Sequence, residues 1–92
     1  MEWELKMPEV SRFLGIVIRM FPSDHNPPHF HAIYNTFEAQ FSIDPLEMLE
    51  GKLPSRVHGI VIEWASLHQK ELMNNWNRLL KEQPIKKIKP LV

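Results

Sequence analysis

Hydrophobic positions in the first half of the chain recur with the period of strands, and those of the second half with the period of a helix. Phe13 to Phe21 is apolar at nearly every position and β-branched at Ile16, Val17 and Ile18, which predicts one strand covered on both faces. Arg19 interrupts this run and Pro22 ends it. Ser23 to Pro28 reads as a loop stiffened by two consecutive prolines. His29 to Tyr34 and Phe37 to Ile43 read as two strands joined by the two-residue turn Asn35-Thr36. In the second of these, Phe37, Ala39, Phe41 and Ile43 alternate with Glu38, Gln40 and Ser42, so one face is apolar and the other polar. Leu46 to Glu50 is a further short strand closed by Gly51.

After Pro54-Ser55 the period changes. Val57, Ile60, Val61, Trp64, Leu67, Leu72, Trp76, Leu79 and Leu80 recur at steps of three and four as far as Glu82. This predicts one helix of roughly 27 residues and about 40 Å, with a kink near Ser66 to His68. Pro84 stops it, and Ile85 to Val92 either returns along the sheet or meets a partner. The expected fold is therefore α+β: a small antiparallel meander of three to four strands packed against one long C-terminal helix, in a single domain over residues 1–92.

Composition narrows the function classes. Eleven basic residues balance eleven acidic ones, so no global field draws the protein to nucleic acid or an anionic membrane. There are no cysteines, which removes disulfides and thiolate metal sites and agrees with a cytoplasmic setting. The longest apolar run is about eight residues, against the roughly 20 of a membrane span. A glycine-rich phosphate loop, a dinucleotide fingerprint and a nucleophile elbow are all missing from the sequence.

The candidate chemistry gathers at one place. His25, His29 and His31 fall within seven residues, with Asp24 adjacent. On a strand His29 and His31 project from one face, about 6.6 Å apart at Cα, while Phe30 points to the other. Two imidazoles at that spacing can converge on a zinc-sized ion, with His25 or Asp24 as a third ligand. They can equally act as general base and general acid, with Arg19, and Arg12 just before the strand, holding a phosphate. They can also be hydrogen-bonded structural residues, with Arg19 paired to Glu38 or Glu47, and the pattern leaves these three readings open. His58 and His68 sit about 80° apart around the helix and form no second ligand pair. Trp64 and Trp76 fall at core spacing, and Lys81, Lys86, Lys87 and Lys89 form a basic end that reads as a solvated tail or as a contact for nucleic-acid backbone.

The residues from Met7 to Phe21, the string Asp24-His-Asn-Pro-Pro-His-Phe-His31, Leu49 to Pro54, the helix with Glu63-Trp64 and His68, and the ending Pro84 to Leu91 resemble a family of small prokaryotic proteins, domain-of-unknown-function family 4160. The resemblance runs over residues 7–91 and makes residues 1–6 an N-terminal extension. It implies a bacterial or phage-borne gene beside a second small family of unknown function (number 2442). The pair resembles a type II toxin–antitoxin module, with this chain as the toxin and an antitoxin-like small protein as its partner. The expected function is a toxin acting on RNA or another phosphate-bearing target through His25, His29, His31 and Arg19, with Arg12 binding substrate. The alternatives are a non-enzymatic module that docks the neighbouring gene product, and a metal-binding sensor.

Overall fold

Among the described residues five strands precede the helices in the chain: β1 (Glu9–Phe13), β2 (Ile16–Arg19), β3 (His29–Tyr34), β4 (Phe37–Ser42) and β5 (Glu47–Gly51). The computed structural model describes residues 8–21 and 25–92, and within these the strands pair antiparallel in chain order, as a five-stranded meander. The fold is α+β, with one strand more than the sequence pattern suggests. The extra strand comes from the run Phe13 to Phe21, which is two strands and a turn rather than one strand. Leu14 and Gly15 both have positive φ, +51° and +78°, which suits a two-residue hairpin turn whose twist matches its flanking strands. Leu14 is 52% exposed at the tip of this turn; its apolar side chain hides the turn from a reading by hydrophobicity. The β1–β2 register runs from Phe13↔Ile16 to Glu9↔Arg19, with Val10 inserted as an extra residue between Glu9 and Ser11.

The β3–β4 turn falls at Asn35-Thr36 as expected, with Asn35 at φ +54°. It fixes the pairs Tyr34↔Phe37 through His29↔Ser42. Alternation in β4 then puts Ala39 and Phe41 among the core residues with Phe30 and Ala32. Beyond β4, the buried Ser42 hydroxyl donates to Pro45 O and steadies the connection to β5.

The long helix is two helices, α1 (Ser55–Leu67) and α2 (Gln69–Leu80), of 13 and 12 residues. They meet at His68, whose φ of −130° leaves the helical region, so the break falls at the end of the segment where the sequence suggests a kink. Two side-chain bonds, one local and one distant, account for it. Ser66 Oγ donates back to Glu63 O, which competes with the helix ladder. The Gln69 side chain donates to Ile43 O at 2.7 Å and ties the start of α2 to the end of β4. α2 ends with Glu82 at φ +58°, where Glu82 N–H bonds to Leu79 O and Gln83 N–H to Arg78 O, the two bonds of a Schellman cap.

The tail returns along the sheet. Ile88 N–H donates to Val10 O at the β1 edge, and the Ile88 side chain is buried in the core. Asn75 grips the backbone of Lys86 at both N–H and C=O, each at 2.9 Å. Trp64 Nε1 donates to Lys89 O. Trp64 is wholly buried, with Phe13 at 5.2 Å and Phe30 at 6.2 Å between ring centroids, so α1 packs on the Phe30 face of the sheet. Both Trp64 and Trp76 are packing residues, and the core side chains join in one cluster. The expected strand end at Pro22, the Asp24 site and the extension over residues 1–6 lie outside the described residues.

Candidate functional site: a histidine row across the sheet

Residues paired across antiparallel strands share a face. His31 pairs with Arg19 on one side and Gln40 on the other; Arg19 pairs with Glu9, and Gln40 with Glu50. The face opposite Phe30 therefore carries one polar row across all five strands: Glu9, Arg19, His31, Gln40, Glu50. Flanking it are the row of His29, Ser42 and Glu47 and the row of Val17, Ile33 and Glu38.

Both histidines are 5% exposed, and their ring centroids lie 5.3 Å apart. His31 Nδ1 stands 3.1 Å from Glu38 Oε2, and His29 Nδ1 stands 2.7 Å from Pro27 O. A carbonyl and a carboxylate only accept, so each Nδ1 carries a hydrogen. Phe21 meets His31 edge-on at 4.4 Å, and Trp76 of α2 stands 5.4 Å from His29. The pair is thus wedged between aromatic rings and oriented from the Nδ1 side. A carboxylate in that position holds the His31 ring with its Nδ1–H turned toward Glu38.

The structure brings together His29, His31 and Arg19; Arg12 pairs with Val17 and so stands on the same face, in the row of Glu38. His25 is exposed on the connector, and among the described residues no three His, Asp or Glu side chains come together as a metal-ligand set. Arg12 lies on β1 and engages Glu9 through both Nε and Nη2, at 3.2 and 2.8 Å. That hydrogen bond is the main reason the Glu9 carboxyl lies below its ordinary value of 4.5; partial burial opposes it, and the charges of Arg12, Lys87 and Arg19 reinforce it.

The residue that pattern reading passed over is Glu38. The sequence offers it, with Glu47, only as a candidate partner for Arg19; the structure sets its carboxylate against His31. The signal lay in the hairpin: a two-residue turn at Asn35-Thr36 puts Glu38 opposite Ile33, diagonal to His31 on the same face. Trp76 against His29 carries no such signal, since it depends on the break at His68.

Neither the curated proteins nor the solved structures contain a match to this chain. The profile of one family, "Domain of unknown function (DUF4160)", matches residues 15–77, from the β1–β2 turn into α2. The match takes in Arg19, His25, His29, His31 and Glu38, and leaves out Arg12 and the tail. Because it spans well over half of the sequence, the chain belongs to the domain-of-unknown-function family DUF4160.

Proposed function

We propose that this protein is the toxin-like member of a two-protein module, working in the cytoplasm on RNA or another phosphate-bearing target through the His31–Glu38 pair. The observation that carries this reading is the 3.1 Å approach of Glu38 Oε2 to His31 Nδ1, beside Arg19 in the adjacent strand. In cleavage of RNA, His31 Nε2 takes the proton from a 2′-hydroxyl as its oxygen attacks phosphorus. His29, carrying a hydrogen on each ring nitrogen in this scheme, gives the one on Nε2 to the departing 5′-oxygen, leaving a 2′,3′-cyclic phosphate. Arg19 supplies fixed positive charge where the phosphorane builds negative charge. Glu38 is a positioning residue in this scheme. An antitoxin-like small protein is the proposed partner.

A second reading, a non-enzymatic module that docks the neighbouring gene product, is favoured by the burial of both rings at 5% exposure. Growth on induced expression separates the two. Glu38 is 54% exposed at its side chain, so Glu38→Gln removes the carboxylate with little effect on the core. The acid–base reading expects growth arrest by the wild type, relieved by Glu38→Gln and by His31→Gln in protein that melts cooperatively. It also expects purified His31→Gln to cleave RNA about 10²-fold more slowly than wild type. Wild type that neither slows growth nor cleaves RNA would leave the docking module.

A further inference from the structure

Among the described residues, one edge of the sheet is taken and the other is open. At β1 the tail is bonded through Ile88 to Val10 O. At β5 every residue is exposed, and Met48 and Leu49 retain 41% and 43% of their surface. An edge strand presents unpaired N–H and C=O groups that another strand can use. Lys52 N–H bonds inward to Glu38 O at 3.0 Å, so by antiparallel alternation Gly51 turns its own N–H and C=O away from β4. Beside it lies a cavity of about 190 Å³ lined by Glu38, Ala39, Gln40, Glu50 and Gly51.

We propose that β5 is the docking edge for an extended segment of a partner protein carrying lysine or arginine at alternate positions. The inference rests on the two-protein reading for the existence of that partner, and on this surface for its chemistry. Charge selects the occupant. Glu47 and Glu50 lie on the strand and Glu38 lines the cavity, while Lys52 just beyond leaves the edge net acidic. A second copy pairing β5 to β5 brings like carboxylates together, which destabilises a strand pair. The register shift between Gln40 and Phe41 inserts Leu49 as an extra residue, with Phe41↔Met48 and Ser42↔Glu47 paired on one side of it and Gln40↔Glu50 and Ala39↔Gly51 on the other, next to the cavity. A cation entering there meets Glu38, the same carboxylate that holds His31, so docking reaches the histidine row through one side chain.

The test titrates the isotope-labelled protein with a blocked seven-residue peptide alternating lysine with valine and threonine. Two controls accompany it: the same peptide with glutamate for lysine, and the lysine peptide N-methylated at alternate backbone positions. The expected result is amide shifts confined to residues 38–40 and 47–52, with binding about tenfold or more tighter than for either control. The double substitution Glu47→Lys, Glu50→Lys should weaken it by a similar factor. Equal binding of the N-methylated peptide, shifts centred elsewhere, no saturation at millimolar peptide, or self-association of the protein through β5 would each overturn the proposal. None of these readouts uses growth or RNA cleavage, so a failure of the acid–base scheme and a failure of the docking edge are told apart.

Discussion

Gly51 closes β5 with φ +94°, and a methyl group built on it would stand 2.3 Å from Glu38 O and 2.6 Å from Ala39 Cα. Both are backbone atoms of β4, so no side chain can swing aside to make room. Two costs add for Gly51→Ala. A side chain in left-handed backbone costs roughly 1–2 kcal/mol. Relieving the overlap by shifting the strand adds about 1–3 kcal/mol, the usual size for overpacking. The expected loss of about 2–5 kcal/mol is a large part of the roughly 5–15 kcal/mol that holds a domain together, and lowers Tm by roughly 10 °C or more. Gly59 provides the control. It lies inside α1 with nothing within 4 Å of an added Cβ, so Gly59→Ala should stabilise by about 0.5–1 kcal/mol. Urea unfolding followed by tryptophan fluorescence reads both, since Trp64 is wholly buried. A Gly51→Ala midpoint at or above wild type would refute the reasoning, as would a Gly59→Ala midpoint falling as far as that of Gly51→Ala.

Phe30 is wholly buried, stacked on Phe41 at 5.4 Å and edge-on to Trp64, so Phe30→Ala should cost about 3–5 kcal/mol in the same assay; a loss below about 1 kcal/mol would contradict the packing. Leu14→Asn converts the β1–β2 turn to Asn-Gly and relieves an exposed leucine at φ +51°, with an expected gain of about 1 kcal/mol, and a lower Tm would count against the turn assignment. The pH dependence follows from Glu9, whose carboxyl is depressed chiefly by the Arg12 hydrogen bond. A depressed carboxyl contributes stability that is present above its unfolded value and lost as pH falls through its folded one, so wild type should lose this contribution below about pH 4.5. Glu9→Gln should flatten that acid limb, less visibly at high salt because Arg12 is 59% exposed; identical limbs in unfolding curves from pH 3 to 7 would remove the pair from the account.

The parts of this fold that were legible in sequence are those set by local period. The alternation in β4 and the two-residue turn before it identify the hairpin and its faces, because a one-residue slip would turn Phe41 out and Glu38 in. The change to steps of three and four after Pro54 identifies helix. What escapes is what depends on distant contacts. The kink near Ser66 to His68 is legible, but its opening into two separate helices relies on Gln69 reaching Ile43 O across 26 residues of chain, and the tail's path relies on Asn75, Trp64 and Val10 accepting it. The first hairpin is a different kind of miss: Leu14 is apolar for its type but stands at an exposed tip, so hydrophobicity points the wrong way and only Gly15 signals the turn. At the candidate site the shared face of His29 and His31 follows from strand period alone. The place of Arg12, one row along on that face, does not, since it depends on the extra hairpin.

The histidine row and the open edge are one mechanical unit because the same β4 residue serves both. Glu38 offers its carboxylate to His31 in β3 and its carbonyl to Lys52 beyond β5. The close approach of Gly51 to that carbonyl leaves no slack between the two contacts. A strand added to β5 therefore acts on the backbone of the residue that orients His31, and a cation placed in the adjoining cavity acts on its side chain. Such coupling is reciprocal in free energy: whatever arrangement of Glu38 the added strand prefers, a ligand at His31 that prefers the same arrangement tightens the strand, and one that prefers the other loosens it. A partner docked there as proposed would have only β4 and β5 between it and His31.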